Sequence, residues 1–99
     1  MNEILTLIRS VHGVDDYGDP AIAEIPRVVF CRVASIGQKE FYQAQALGLQ
    51  PETKFVLADY LEYQGEMQVE YNNTRYRVLR TYRTSQELEL VCYREVNPA

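Results

Sequence analysis

The residues of this sequence that could do chemistry are few, and they lie far apart. The single histidine, His12, is followed by Gly13 in a predicted loop and has no identifiable partner. Nucleophilic catalysis needs a nucleophile, a base beside it and a group that orients the base. Because the sequence offers no such set, we interpret His12 as an exposed loop residue. We predict no catalytic residues and no enzymatic activity.

Three aspartates, Asp15, Asp16 and Asp19, are the best candidates for a cation site. Their spacing differs from that of a calcium-binding loop, which also ends in a bidentate glutamate. A solvated turn explains the cluster better, because Asp, Gly and Pro are dense in residues 15–20. The sequence also has no Gly-rich phosphate loop and no His/Cys cluster. We therefore predict no metal and no cofactor.

The two cysteines, Cys31 and Cys92, lie far apart in apolar, strand-like runs. Neither has a second cysteine at the spacing of a metal site. We predict two buried, reduced thiols that pack as small hydrophobic side chains. A disulfide between them is the alternative.

One predicted strand combines arginines with tyrosines, a pattern that could bind nucleic acid. These residues are Arg75, Tyr76, Arg77, Arg80, Tyr82 and Arg83. Acidic residues on the flanking strands favour a structural interpretation, because cross-strand ion pairs would neutralise the arginines. The acidic residues are Glu66, Glu70, Glu87 and Glu89. Nucleic-acid binding by a small barrel stays the alternative function.

The composition is that of a soluble globular chain with one domain, residues 1–99. Hydrophobic residues make up 46% and charged residues 24% of the 99 residues, which are ordinary values. The formal net charge of −4 argues against autonomous binding to nucleic-acid backbones, which needs a clustered basic surface. The first residues lack a basic segment followed by a long apolar one, so we expect an intracellular location and no membrane association.

The first half of the chain predicts two strands and one helix. Residues 4–11 and 27–34 are rich in β-branched and apolar side chains, which indicates strands. Residues 35–48 contain good helix formers, and Gly48 followed by Pro51 is typical of a helix end. One side of this helix carries Phe41, Ala44, Leu47 and Gly48. The opposite side carries Lys39, Tyr42, Gln43 and Ala46.

The second half alternates between strands and tight turns. We predict strands at residues 53–60 and 66–71, a two-residue Asn72-Asn73 hairpin turn, a bulge near Leu79 and a turn at Ser85. The predicted inward side chains are Phe55, Leu57, Met67, Val69, Tyr71, Tyr76, Val78, Leu88, Leu90 and Cys92. Opposite the last three we place Glu87, Glu89 and Val91 on the outer face. Five or six short antiparallel strands with one inserted helix predict a mainly β fold, a small barrel.

Three stretches of the sequence, in order, resemble the head-closure proteins of tailed bacteriophages. The first is an early strand followed by residues 16–20, the second is the strand-to-helix passage 34–45, and the third is the hairpin 69–80 followed by a Leu-Glu-Leu strand at 88–90. The helix passage is the most specific of the three. The resemblance spans nearly the whole chain.

The resemblance implies a β-barrel subunit of the virion neck, assembled in the host cytoplasm. Such proteins form a ring, commonly twelve-fold, beneath the portal and its adaptor ring. The ring closes the head after genome packaging and docks a tail terminator or another tail protein. Packaged DNA passes through or abuts its channel. In some members the segment between the second and third strands, here residues 35–52, lies near the channel and obstructs the exit of DNA.

The helix pattern and the resemblance together give a candidate site. We expect three apolar side chains to anchor the helix: Phe41, Ala44 and Leu47. We expect four polar or amphipathic side chains to face the channel or a partner: Gln38, Lys39, Tyr42 and Gln43. A different neck protein, such as a tail-completion protein, is a further alternative.

Overall fold

Six antiparallel strands close into a barrel in the computed structural model, which describes residues 2–46, 48 and 51–94. Around the barrel the strand order is β1-β2-β3-β6-β5-β4, and β4 pairs again with β1. The strands are β1 (Glu3–Val14), β2 (Pro20–Ala34), β3 (Thr53–Leu57), β4 (Gln68–Tyr71), β5 (Thr74–Thr84) and β6 (Glu87–Arg94). Helix α1 (Gln38–Gln45) links β2 to β3, and a short 3-10 helix (Tyr60–Glu62) links β3 to β4. The predicted fold class is confirmed.

The core fills the barrel with side chains from every strand. Alternate residues of a strand point to the same face, so each strand contributes one or more inward side chains. The core comprises Leu5, Leu7, Val29, Cys31, Phe55, Leu57, Val69, Tyr76, Val78, Leu88, Leu90 and Cys92. The ring of Phe55 lies at its centre, 5.3 Å from the ring of Tyr71 and 5.5 Å from that of Tyr76. The inward phase predicted for β3, β5 and β6 is confirmed.

The predicted turns of the second half are present. Asn72 and Asn73 have φ angles of +50° and +62°, the conformation that lets a two-residue turn follow the twist of a hairpin. Ser85 has a φ angle of +53° at the turn between β5 and β6. The register of these two strands shifts between Val78 and Arg80, which confirms the predicted bulge.

The first two strands are longer than the sequence predicted. β1 continues to Val14 and β2 begins at Pro20, so the two form one long hairpin. The turn that joins them is held by the Asp15 carboxylate, which accepts the backbone N–H groups of Tyr17 and Asp19, both at 2.9 Å. This local hydrogen bonding explains the density of aspartates in residues 15–19.

The distal half of this hairpin, residues 9–25, leaves the barrel, and we name it the arm. β1 pairs with β4 only from Thr6 to Ile8, and β2 pairs with β3 only from Cys31 to Ala34. Residues 9–14 therefore pair only with residues 20–25. Six residues beyond Ile8 carry the arm roughly 20 Å outward, at about 3.3 Å per residue. The molecule is elongated accordingly, at 49 × 30 × 22 Å.

Three predictions in the second half are wrong in detail. The strand predicted over residues 53–60 ends at Leu57, because the Asp59 side chain accepts the N–H of Leu61 and starts the 3-10 helix. Met67 was expected inside but is 54% exposed, and Glu66 is buried instead. Val91 was expected on the outer face but is buried, since it lies in a crevice beside Ala44 of α1.

Candidate functional site

Helix α1 follows β2 in the chain and lies on the outside of the barrel, beside β5 and β6. It is shorter than the 35–48 predicted, and Gly37 precedes it without a side-chain cap. Gly48 has a φ angle of +77°, and its N–H donates to the carbonyl of Gln45 at 2.9 Å. Gly48 thus adopts the left-handed conformation expected just past a helix end, although the helix itself already ends at Gln45.

The contact between α1 and the barrel is narrow. Ala44 is buried against the crevice formed with Leu79 and Val91, and Phe41 is half-buried. Leu47, the third predicted anchor, lies outside the described residues. Isolated helices shorter than about 12–15 residues are marginal in water, so α1 depends on this contact.

An ion pair adds to this contact. Oε1 of Glu40 lies 3.9 Å from the Arg80 guanidinium of β5, while Oε2 is buried without a hydrogen-bond partner among the described residues. The pair links the helix to β5 beside its bulge, and at this distance, with a half-exposed arginine, it adds little to stability. Residue spacing does not predict this pair, because the bulge decides which side chain of β5 meets the helix.

The four residues predicted to face a partner are all exposed. They are Gln38, Lys39, Tyr42 and Gln43. Tyr42 is 63% exposed. Its ring contacts the ring of Phe41 edge-on, with the two ring centres 6.1 Å apart. The helix thus has one side on the barrel and a polar side that the described residues leave uncovered.

The arginine–tyrosine strand of the sequence is β5, and several of its arginines contact other side chains of the protein. Arg75 pairs with Glu24 of β2 at 2.8 Å and with Glu70 of β4 at 3.7 Å. The Arg83 guanidinium stacks over the ring of Tyr60 at 3.5 Å. Together with the pairing of Arg80, these contacts occupy much of the cationic surface that a nucleic acid would need.

Of the glutamates predicted to pair with the arginines of β5, only some do so. Glu70 pairs with an arginine of β5 as expected. Glu89 pairs instead with Lys54 at 3.0 Å, and Glu87 lies 3.8 Å from Arg32. The reason is that β6 lies between β5 and β3, so its outward glutamates can meet cations on the β3 side as well.

Glu66 has a structural role that the sequence did not reveal. Its carboxylate is buried, lies 2.6 Å from the Arg27 guanidinium and accepts the N–H of Gln64, also at 2.6 Å. Tyr63 donates its hydroxyl to the Glu66 carbonyl. Burial, with the nearby charge of Glu66, raises the pKa of Tyr63 to about 12. These bonds hold the chain that leads into β4 against the base of the arm.

The cysteines are free and buried, as predicted. Burial, supplemented by the charge of Glu3, raises the pKa of Cys31 to about 11. Burial also raises the pKa of Cys92 to about 12. Both remain protonated at neutral pH, and a thiol is a far weaker nucleophile and metal ligand than a thiolate.

His12 lies in a strand, where the sequence predicted a loop. It is exposed on the arm and is paired with Ile22 of β2. Within residues 2–46, 48 and 51–94, no three His, Cys, Asp or Glu side chains are grouped so that they could hold a metal ion. The helices of the same residues include none with the length and apolar character needed to cross a membrane.

The arm carries apolar side chains that nothing in the described structure covers. Val14 is 72%, Ile22 66% and Ile25 50% exposed, and Tyr17 at the tip is 90% exposed. On the barrel itself, Ile4 and Phe30 lie opposite each other across β1 and β2 and are also exposed. Val14 and Ile22 lie on one face of the arm and Ile25 on the other, so both faces present apolar side chains of the kind that protein–protein interfaces bury.

No protein-family model matches this chain, and no curated protein matches it significantly in sequence. The class that the fold defines is a small closed β-barrel with one external helix and a projecting hairpin.

Proposed function

We propose that the protein is a structural subunit of the neck of a tailed bacteriophage. In this role it forms a ring beneath the portal and adaptor, closes the DNA-filled head and provides the surface to which the tail docks. The observation that carries the proposal is α1, which is attached to a closed barrel by a narrow contact and leaves a polar side uncovered. In some members of the family that the sequence resembles, the segment between the second and third strands lies near the channel.

Two further features support a connector. Exposed apolar side chains on the arm and on β1–β2 need partners, and a ring supplies them on both sides of each subunit. The net charge of −4 suits a channel wall that repels DNA and so lets it pass without binding. The pairing of Arg75, Arg80 and Arg83 within the chain disfavours the alternative of a nucleic-acid-binding barrel.

The test is a triple substitution on the uncovered side of α1. Changing Lys39, Tyr42 and Gln43 together to Ala should leave thermal stability nearly unchanged, because these side chains are exposed. Phage particles assembled with this variant should show more empty heads or fewer attached tails than wild-type particles. Electron microscopy gives the counts of full heads, empty heads and joined tails.

A matched control changes three exposed residues elsewhere on the barrel, Thr81, Thr84 and Gln86, to Ala. The control should give wild-type counts. Wild-type counts for the α1 variant as well would remove this segment from the functional site. Labelled protein located away from the neck in images of purified particles would overturn the neck assignment itself.

A further inference from the structure

We propose that the tip of the arm of one copy docks in a groove at the base of the arm of a neighbouring copy, so that copies join head to tail. The tip is residues 15–19. The groove has a volume of about 430 Å³ and lies between β1 and the chain that leads into β4. The proposal names the contact between subunits of the proposed ring and so rests on the proposed function.

The arm exposes apolar side chains that no other part of the described structure buries. A two-stranded ribbon is at best marginally stable in water, and this one leaves Val14, Ile22 and Ile25 at least half exposed. Burying a large aliphatic side chain contributes about 1.5–3 kcal/mol. A partner surface that covers the arm would therefore both order it and gain binding free energy.

The groove runs beside an open strand edge. The last pair between β1 and β4 is Ile8 with Gln68, so residues 9–14 of β1 have β2 on one side and no strand on the other. β2 carries Pro20 and Pro26, which cannot donate a ladder hydrogen bond, whereas β1 has no proline. The open edge of β1 therefore presents backbone N–H and C=O groups that have no strand partner, and polar groups of an incoming segment can bond to them.

The charges of the groove and of the tip are complementary. Two arginines, Arg9 and Arg77, line the groove, and Arg9 has no ion-pair partner among the described residues. The carboxylate of Glu66, which also lines the groove, is already paired with Arg27. The groove therefore favours an acidic segment.

The tip of the arm is such a segment. Asp15 is engaged in the turn, while Asp16 and Asp19 are exposed and their carboxylates have no hydrogen-bond partner among the described residues. Tyr17 lies between them and is 90% exposed. Tyrosine is favoured in protein interfaces because its ring packs while its hydroxyl bonds to polar groups. The occupant of the groove is accordingly a second copy of this chain.

The tip and the groove that it occupies belong to different copies, and the contact between them has a direction. The tip begins three residues beyond His12, the groove residue nearest to it in the chain, which is roughly 10 Å at about 3.3 Å per residue. The pairing of residues 9–14 with residues 20–25 holds the tip away from the groove of its own chain. Tip and groove are different surfaces, and such a contact generates a ring when its rotation closes and an open chain when it does not. Each contact is small, so free copies should associate weakly until a template gathers them.

Cysteine cross-linking of the full-length protein tests the contact. Tyr17→Cys places a thiol on the tip and Ser10→Cys places one at the groove, while the native cysteines are buried and protonated. Under mild oxidation at high protein concentration, the double variant should form a ladder of trimers and larger species. The two single variants, mixed, should form a heterodimer in excess of either homodimer.

Charge exchange makes the test specific. Arg9→Glu, or Asp16→Lys combined with Asp19→Lys, should reduce the ladder by at least roughly tenfold, because like charges then face each other. Combining all three changes should restore most of it. The control Glu87→Lys alters the charge outside the tip and groove, at a solvent-exposed ion pair of 3.8 Å, and should leave the ladder unchanged.

Thermal unfolding of each variant confirms that the barrel is intact. A double variant that gives no ladder while folded, or single variants that each cross-link to themselves as readily as to one another, would overturn the head-to-tail contact. Neither result bears on whether the protein is found in the neck, which the particle images decide separately.

Discussion

β1 and β2 each run from the barrel into the arm, and the surroundings of these two halves differ. In the barrel half, Leu5, Leu7 and Cys31 are fully buried. In the arm half, Val14 and Ile22 are mostly exposed. The difference arises because the barrel half is closed by β3 and β4, whereas each strand of the arm has a single neighbour. The barrel buries its apolar side chains by itself, whereas the arm would bury its own only against a partner.

The largest effect should come from the barrel core. Leu90→Ala should lower the free energy of unfolding by about 2–5 kcal/mol, because the side chain is fully buried and its removal leaves a cavity. Urea unfolding followed by circular dichroism measures the change.

Raising the pH should also destabilise the barrel. The pKa of Cys31 is raised to about 11 and that of Cys92 to about 12 by burial. The stability that the two neutral thiols contribute is fully present below the ordinary thiol pKa near 9. It is lost as the pH rises through the pKa values of the folded protein. The free energy of unfolding should therefore fall progressively as the pH rises from about 9 to about 11.

Urea unfolding at a series of pH values between 7 and 11 checks this window. A thiol reagent offers an independent measurement, since buried and protonated thiols should react only when the barrel opens. Rapid modification of both cysteines in the folded protein at neutral pH would show that the core is more open than the structure has it.

A smaller effect is expected at the attachment of α1. Phe41 is half-buried, so Phe41→Ala should cost about 1–2 kcal/mol, less than the loss of a fully buried ring. Tyr42→Ala, on the exposed side of the same helix, should change the free energy of unfolding by less than about 0.5 kcal/mol. Equal losses at the two positions, measured by urea unfolding, would place the helix in a different orientation.

The sequence predicted the barrel from short-range information. Alternation identified the inward side of β3, β5 and β6, and Asn72 predicted its hairpin turn because asparagine tolerates a positive φ angle. The helical period likewise placed Ala44 on the buried side of α1 and Tyr42 on the exposed side. These features depend on residues close in the chain.

The features that the sequence did not predict depend on contacts between distant residues. Glu66 is buried because Arg27, 39 residues away, neutralises it. Val91 is buried because α1 lies over the outside of β6. Residues 20–26 did not predict a strand, because prolines are depleted in strands, and pairing with β1 overrides that preference. The arm was therefore missed as a candidate interface.

The smallest effect should come from the arm. Ile22→Ala should change the free energy of unfolding of the free protein by less than about 0.5 kcal/mol, since the side chain is 66% exposed. The same variant should weaken association between copies, because that surface then buries less apolar area. A loss comparable to that of Leu90→Ala would mean that the arm is part of the cooperative core.

Amide hydrogen exchange compares the two regions most directly. In dilute, free protein, amides of residues 9–14 should exchange much faster than those of β3 and β6, because locally opening segments exchange without global unfolding. In the assembled protein, the same arm amides should become protected while those of the barrel change little. Arm amides as slow as barrel amides in the dilute protein, or arm amides that stay fast after assembly, would contradict the account.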